Sequence, residues 1–128
     1  MEIHIDSGND IVESRTECKK IAKKIGFGMV DQTKIATAVS ELTRNVIDHA
    51  EEGDLTVKSL DKDGKTGIEI KLQDWGPGIE DVEQAMQEGH STQDTMGQGL
   101  PGTKKLMDEM EIDSEPGEGT KVVVRKWL

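Results

Sequence analysis

Aromatic side chains are nearly absent from this sequence, which has no tyrosine, one phenylalanine and two tryptophans. Proteins that hold single-stranded nucleic acid stack its bases on aromatic rings, so this composition argues against that class. Positive charge is also in deficit, because 16 Lys and Arg residues stand against 26 Asp and Glu residues for a formal net charge of −10. Nucleic acids and anionic membrane surfaces repel an acidic chain at long range. We therefore expect neither among its partners.

Cysteine and long apolar runs are also scarce. The single cysteine, Cys18, cannot form an internal disulfide, and its place in an apolar helical pattern indicates a small core residue. The sequence contains no signal peptide, transmembrane run or lipidation motif, so we expect a cytoplasmic protein. The length of 128 residues suits one domain with a modest core.

The apolar residues that are present recur with helix and strand periods. The first predicted helix is capped by Asp10 with Glu13 or by Ser14 with Glu17, and it ends at Gly26. The remaining predicted elements are a strand at 1–6, a long helix capped by Asp31 and running to Ala50, strands at 55–60 and 68–72 joined by a turn at 61–64, a helix at 81–88, an irregular segment at 89–102, a helix from Pro101 through Met110, and strands at 111–114 and 120–127. This order predicts a two-layer α/β sandwich with a mixed or antiparallel sheet covered by helices on one face.

Two polar residues lie on the flank of the long predicted helix. Glu41 and Asn45 are four residues apart, so their side chains point the same way, one turn apart. Val39, Leu42 and Val46 define the neighbouring apolar stripe that faces the core. A flank position of this kind can line a cleft, where an Asn oxygen can bind a hard divalent cation and a carboxylate can act as a base. Glu and Asn at such positions are also ordinary surface residues.

The motif Asp74-x-Gly76-x-Gly78 follows a predicted strand. A carboxylate at a strand end can project into a cleft and accept a hydrogen bond from an exocyclic amine such as that of adenine, while the glycines allow a flat ligand to approach the backbone. Asp-rich and Gly-rich segments also form plain turns, so this motif alone leaves both interpretations open.

A second glycine-rich run, Gly97 to Gly102, precedes a predicted helix. Glycines at this place allow several backbone N–H groups to converge on an anion, which is one way in which an acidic protein can hold phosphates. The alternative is a flexible loop that leads into a helix. Neither the P-loop string nor the Rossmann fingerprint is present.

Taken together and in order, Glu41-x-x-x-Asn45, Asp74-x-Gly76-x-Gly78, Gly97-x-Gly99 and Gly119-Thr120 resemble the ATP-binding motifs of the GHKL superfamily, the gyrase, histidine-kinase and MutL type of ATPase. The resemblance implies the Bergerat ATP-binding fold, with residues 1–128 forming a single histidine-kinase-like domain. Within the superfamily the chain is similar to the small serine/threonine kinases of bacterial partner-switching pathways. It is most similar to the RsbT-type switch kinases of the stressosome, through V-S-E-L-T-R-N, D-W-G-P-G-I, G-L-P-G-T-K-K-L-M-D-E and the terminal K-W.

This resemblance implies a site for ATP and Mg²⁺. Glu41 would be the general base, Asn45 would hold Mg²⁺, and Asp74 would meet the adenine amine with Thr120 nearby. The glycine run would form a lid over the phosphates, with Ser91 at its approach. The implied nucleotide-binding residues are Asn45, Asp74, Gly76, Gly78, Ile79, Thr92, Gly97, Gln98, Gly99, Leu100 and Thr120.

The implied activity is that of a serine/threonine protein kinase acting on STAS-domain proteins of the antagonist or stressosome-scaffold type, in control of a stress or sigma-factor response. A later switch onto a phosphatase activator belongs to the same picture. One alternative is an anti-sigma factor of the same fold that sequesters a sigma factor, and another is a non-catalytic, ATP-dependent adaptor. Gyrase-like and MutL-like ATPases are not expected, because they need a transducer domain. Complete sensor kinases need a phospho-acceptor helix.

The sequence does not fix the roles of three further residues. His49 is four residues beyond Asn45, so it can contact a phosphate or serve as a capping or packing residue. Arg44 points about 100° away from Asn45 and can face a protein partner. Trp127 can pack in the core or contact a partner.

Overall fold

The computed structural model describes residues 1–76, 95–115 and 117–128, with side chains at 1–76, 101–114 and 117–128. These residues form five strands and three helices. In chain order they are β1 (Glu2–Ile5), α1 (Gly8–Ile25), α2 (Met29–Ala50), β2 (Gly53–Lys62), β3 (Lys65–Asp74), α3 (Thr95–Leu106), β4 (Glu109–Glu115) and β5 (Gly119–Trp127).

The strands form one antiparallel sheet in the order β1-β2-β3-β5-β4. The β2–β3 hairpin turns at Asp63 and Gly64, both with positive φ, within the predicted turn. Positive φ at both central residues is the conformation that the tight two-residue hairpin turn requires. The predicted α/β architecture with helices beside an antiparallel sheet is confirmed.

One face of the sheet carries the core, because side chains alternate along each strand. The inward residues of the three central strands are Leu55, Val57, Ile68, Ile70, Leu72, Val122 and Val124, all buried. They belong to one apolar cluster with Ile35, Val39, Leu42 and Val46 of α2, and with Cys18 and Ala22 of α1. Cys18 is fully buried, so its prediction as a small core residue is confirmed, and burial raises the pKa of its thiol to about 12.

Helix α1 begins before either predicted cap. The helix begins at Gly8, and the Asp10 carboxylate accepts hydrogen bonds from the backbone N–H groups of Asp6 and Ser7. Ser14, one of the predicted caps, is instead fully buried within the helix. Helix α2 begins at Met29 after Gly28, so the predicted cap at Asp31 was also wrong by one turn.

Helix α3 differs most from its prediction. It begins at Thr95 and continues through Pro101 to Leu106, whereas the sequence predicted an irregular segment up to residue 102 and a helix from Pro101 to Met110. An interior proline lacks the N–H for one helical hydrogen bond. Helix α3 packs against α2 with Pro101 buried, and tertiary packing of this kind overrides local propensity. Met110 pairs with Val124 in the β4–β5 ladder.

The predicted helix at 81–88 lies outside the described residues. In the part of the chain that is described, no helix is long and apolar enough to cross a membrane.

Candidate functional site

Asp74 is the last residue of β3 and is buried at the inner face of the sheet. Its register partner on β5 is Thr120, so the two residues meet across the β3–β5 ladder. Asp74 Oδ1 accepts hydrogen bonds from the backbone N–H of Gly76 at 3.0 Å and of Thr120 at 3.1 Å. The D-x-G motif and the Gly-Thr pair, 46 residues apart, are therefore joined by one carboxylate oxygen.

The environment of the Asp74 carboxyl opposes its charge. Burial raises its pKa, while the two backbone hydrogen bonds and the electrostatic interaction with His49 lower it, and the balance leaves the pKa above its ordinary value. A carboxyl held in this way keeps one oxygen, Oδ2, for a further hydrogen bond. His49 therefore lies close enough to influence Asp74, which agrees with its predicted place at the margin of a cleft.

The C-terminal turns of α2 lie against the end of β3. A β-carbon placed on Gly76 would lie 2.5 Å from Ala50 Cβ and 2.8 Å from Ala50 Cα, so only glycine fits there. A β-carbon on Gly53 would lie 2.9 Å from Val46 Cγ1 and 3.3 Å from Asp74 Cβ. The helix that carries Asn45 and the strand that carries Asp74 thus meet at one end of the molecule.

Asn45 is buried on this part of α2, one turn before His49. Its Nδ2 atom is buried and has no hydrogen-bond partner among the residues that the structure describes. A buried amide without a partner costs about 1–3 kcal/mol, so such groups call for an explanation. A ligand bound beside α2 would provide one.

Glu41 lies one turn before Asn45 and is partly exposed. Its Oε1 atom is 3.1 Å from Nη1 of Arg44. Residues three apart are neighbours on a helix surface, which explains how Arg44 reaches Glu41 despite its different angular position. Arg44 therefore contacts the predicted base.

Ser114 on β4 completes the site from the far side of β5. Its hydroxyl is 2.9 Å from the Thr120 hydroxyl and donates a hydrogen bond to Gly119 O at 3.0 Å. Both residues line a cavity of about 180 Å³ that also includes Asp74. Sequence reasoning missed Ser114, although the sequence predicted consecutive strands at 111–114 and 120–127, and their pairing would place Ser114 close to Thr120.

The described contacts therefore join Asp74, Gly76 and Thr120, and they place the last turns of α2 beside them. Asn45 and Glu41 lie one and two turns before His49 on that helix. The remaining predicted residues are described less fully. Gly97, Gln98, Gly99 and Leu100 belong to the first half of α3, the helix that packs against α2, and only their backbone is described. Gly78, Ile79, Ser91 and Thr92 lie outside the described residues.

The donor set fits a magnesium nucleotide better than a metal held by protein alone. Among the described residues, no group of three His, Cys, Asp or Glu side chains could hold a metal ion. Magnesium is usually bound by one or two protein groups together with phosphate oxygens and water. The buried amide of Asn45 offers one oxygen for the metal and an unpaired N–H group for a phosphate.

Comparisons with known proteins identify the family of this chain. The family model for the histidine kinase-like ATPase domain matches residues 8–126. The serine/threonine-protein kinase RsbT of Bacillus subtilis (strain 168) is 45% identical over 119 residues, which cover 93% of this chain and 90% of that protein. The anti-sigma F factor of Caldanaerobacter subterraneus subsp. tengcongensis is 37% identical over 121 residues, covering 90% and 83%.

The fold has a solved counterpart. The mycobacterial sensor histidine kinase MprB superposes with a TM-score of 0.61 over 99% of this chain and 96% of that chain, at 15% identity. This likeness supports the fold alone. The family match and the identity to the kinase RsbT confirm the predicted family and enzyme class, so the chain belongs to the histidine kinase-like ATPase domain family, the GHKL superfamily, and is an RsbT-like serine/threonine kinase within it.

Proposed function

We propose that this protein is the serine/threonine kinase of a bacterial partner-switching pathway and that it phosphorylates a serine or threonine of a STAS-domain protein. The histidine kinase-like ATPase domain implies ATP as the phosphoryl donor. The similarity to RsbT and to anti-sigma F factors supports a partner-switching setting. In this proposal residues 1–128 act as one domain, and the protein controls a stress or sigma-factor response, with a phosphatase activator as a later target.

The observation that carries the proposal is the meeting of α2 with the end of β3, to which β5 is joined by the hydrogen bond between Thr120 and Asp74. The buried amide of Asn45 belongs to the helix that packs against the end of β3, and the strand-end carboxyl of Asp74 accepts a hydrogen bond from Thr120, 46 residues away. Glu41 precedes Asn45 by one turn of the same helix. Phosphoryl transfer depends mostly on positioning and on electrostatic stabilisation, and such a gathered set can supply both.

Each described residue has a role in the proposal. Glu41 takes the proton from the substrate hydroxyl, and Asn45 binds Mg²⁺ through its side-chain oxygen. Asp74 accepts a hydrogen bond from the adenine amine through its second oxygen, supported by Gly76 and Thr120. Magnesium would neutralise charge on the phosphates. We assign the lid to Gly97, Gln98, Gly99 and Leu100, with Gly78, Ile79 and Thr92 as further nucleotide contacts.

The ion pair between Glu41 and Arg44 bears on the proposed base. Both side chains are partly exposed, at 38% and 50%. Exposed pairs of this kind contribute about 1 kcal/mol or less, so substrate binding can open the pair at little cost. The Glu41 carboxylate is then available to the substrate hydroxyl.

A transfer assay tests the function. Purified protein is incubated with radiolabelled ATP, Mg²⁺ and a STAS-domain protein, and phosphoserine and phosphothreonine are measured. We expect Glu41→Gln to lower the transfer rate by about 10²–10⁴-fold, as is typical for loss of a general base, without loss of ATP binding. Glu13→Gln, an exposed carboxylate on α1, serves as the control and should transfer at the wild-type rate. Absence of transfer, or full activity of Glu41→Gln, would remove the proposal.

The role of Asn45 has its own measurement. We expect Asn45→Ala to weaken Mg·ATP binding in calorimetry by about tenfold or more, because a direct ligand contributes more than 1.4 kcal/mol. The loss should be smaller for ATP measured with EDTA present. Unchanged affinity for Mg·ATP would contradict the assigned metal contact.

The similarity to anti-sigma F factors favours a second candidate, a protein of the same fold that sequesters a sigma factor. Co-purification of a sigma factor, released when a STAS-domain protein is added, would support it. A third possibility, a non-catalytic adaptor, predicts ATP-dependent partner binding without any phosphoryl transfer.

A further inference from the structure

A groove between α1 and α2 has a charge that opposes the charge of the rest of the protein. It encloses about 600 Å³ and is lined by ten residues, which lie at 15–23 of α1 and 29–37 of α2. Four of the ten are Arg15, Lys19, Lys20 and Lys23, and none is Asp or Glu. In a chain with a net charge of −10, such a surface without acidic residues stands out.

The positive charge of this groove is largely uncompensated. Lys20 is 3.4 Å from Glu17 of its own helix. Among the described residues, no carboxylate lies within ion-pair distance of Arg15, Lys19 or Lys23. Exposed basic side chains in one concave surface reinforce each other's potential, and this potential attracts an acidic partner during encounter.

The groove also has an exposed apolar side chain and a well-packed floor. Met29 is 71% exposed at the end of the groove nearest the α1–α2 connection. Ala36 and Gln32 are buried beneath it, and the Gln32 side chain donates a hydrogen bond to Phe27 O at 2.8 Å. A flexible apolar side chain beside fixed backbone suits the docking of another protein's surface.

The other end of the groove leads toward the proposed base. Three residues connect α1 to α2, so the two helices run antiparallel and Arg15 lies near Thr37. Thr37 is one helical turn before Glu41, a rise of about 6 Å along the axis. A protein segment seated in the groove is therefore directed along α2 to the carboxylate that would accept the hydroxyl proton.

From this charge, shape and continuity we propose that the α1–α2 groove is the docking surface for an acidic segment of the protein substrate. This inference rests on the proposed kinase function. Nucleic acid and anionic membranes fit less well, because the overall charge of −10 repels extended polyanions. A short acidic protein segment meets only the local positive surface.

Charge reversal tests the docking surface. In the transfer assay with the STAS-domain protein, we expect Arg15→Glu/Lys19→Glu/Lys23→Glu to raise the KM for that protein by about tenfold or more. The KM for ATP and the ATPase rate without the partner should not change. High salt should weaken partner binding by the wild-type protein more than by the variant, because salt screens exposed charges.

The matched control is Lys62→Glu/Lys65→Glu on the β2–β3 hairpin, where both lysines are exposed and outside the groove. It should behave as the wild type. Transfer that responds equally to both sets of changes, or to neither, would overturn the docking surface while the kinase function stands. Absence of transfer by the wild type would instead remove the proposed function. Binding of phosphatidylglycerol vesicles or duplex DNA that is lost in the groove variant would also overturn the assignment to a protein partner.

Discussion

The carboxyl of Asp74 shows how one side chain can be costly for folding and useful for binding. Burial raises its pKa above the ordinary value, so ionisation is less favourable in the folded protein than in the unfolded chain. The stability that this group contributes is fully present below the pKa of the unfolded state and is lost as pH rises through the folded pKa. At neutral pH the protein therefore keeps this carboxylate at a cost, as expected of a binding residue.

Asp74→Asn separates the two effects. The amide oxygen can still accept hydrogen bonds from the N–H groups of Gly76 and Thr120, and no charge is buried. We expect the variant to have an equal or higher free energy of unfolding at pH 7, measured with urea. As pH rises above about 4, the wild type should lose stability relative to the variant. ATP affinity should fall by about tenfold or more, because a hydrogen bond to a charged group contributes about 1.5–3 kcal/mol.

Asp63→Asn at the hairpin turn is the control, since asparagine tolerates the positive φ found there. It should leave ATP affinity unchanged. A stability loss for Asp74→Asn at pH 7 comparable to its binding loss would contradict this account.

Helix α3 shows how an element can form against its own composition. It contains Gly97, Gly99, Gly102 and the interior Pro101, residues that disfavour helix. Its packing against α2 compensates. A helix with weak intrinsic propensity loses little when its packing is released, so local opening of α3 suits the lid role proposed for it.

Two glycine substitutions compare an open position in α3 with a crowded position at the end of β3. We expect Gly102→Ala to stabilise the protein by about 0.5–1 kcal/mol, because a β-carbon there meets nothing within 4 Å and alanine favours helix. Gly76→Ala should destabilise it by about 1–3 kcal/mol through overpacking against Ala50. Thermal unfolding of both variants provides the measurement. A stabilising effect of Gly76→Ala would contradict the close packing of α2 against the end of β3, and a destabilising effect of Gly102→Ala would contradict the open space beside Gly102.

Lys126, a buried lysine on the inner face of β5, connects the sheet to two helices at the end of the molecule opposite to Asp74 and Thr120. Its Nζ atom donates a hydrogen bond to Leu106 O at 3.1 Å and lies 3.9 Å from Asp31 Oδ1 and 3.8 Å from Asp108 Oδ1. One ammonium group thus connects the sheet with the end of α3 and the start of α2. A cation at a helix C-terminus also complements the helix dipole.

Lys126→Met should loosen this connection. We expect a loss of about 1–3 kcal/mol, because the Leu106 carbonyl loses its partner in a partly buried place. Amide hydrogen exchange in the last turn of α3 should accelerate. The control is Arg125→Met. Arg125 lies on the opposite face of β5 from Lys126 and forms an ion pair with Glu69 of β3, so this change should leave that exchange unchanged. Equal acceleration in both variants would mean that Lys126 has no specific connection to α3.

The sequence alone determined the elements whose local signals agree with each other. The alternation of Ile68, Ile70 and Leu72, the D-K-D-G turn and the apolar stripe of α2 each appear in the structure as predicted, because local propensity and burial favour the same conformation there. The ordered motifs likewise were sufficient to predict the family.

Where local signals conflict, or where distant segments meet, only the tertiary structure decided the conformation and the contacts. Helix α3 forms through Pro101 because packing against α2 outweighs propensity, and Ser14, which the sequence allowed as a cap, is instead buried against the core. The hydrogen bond from Thr120 to Asp74 and the basic groove between α1 and α2 depend on strand register and on the packing of two helices. Sequence spacing does not encode these contacts directly, because they arise only when the chain folds and brings remote residues within a few ångströms.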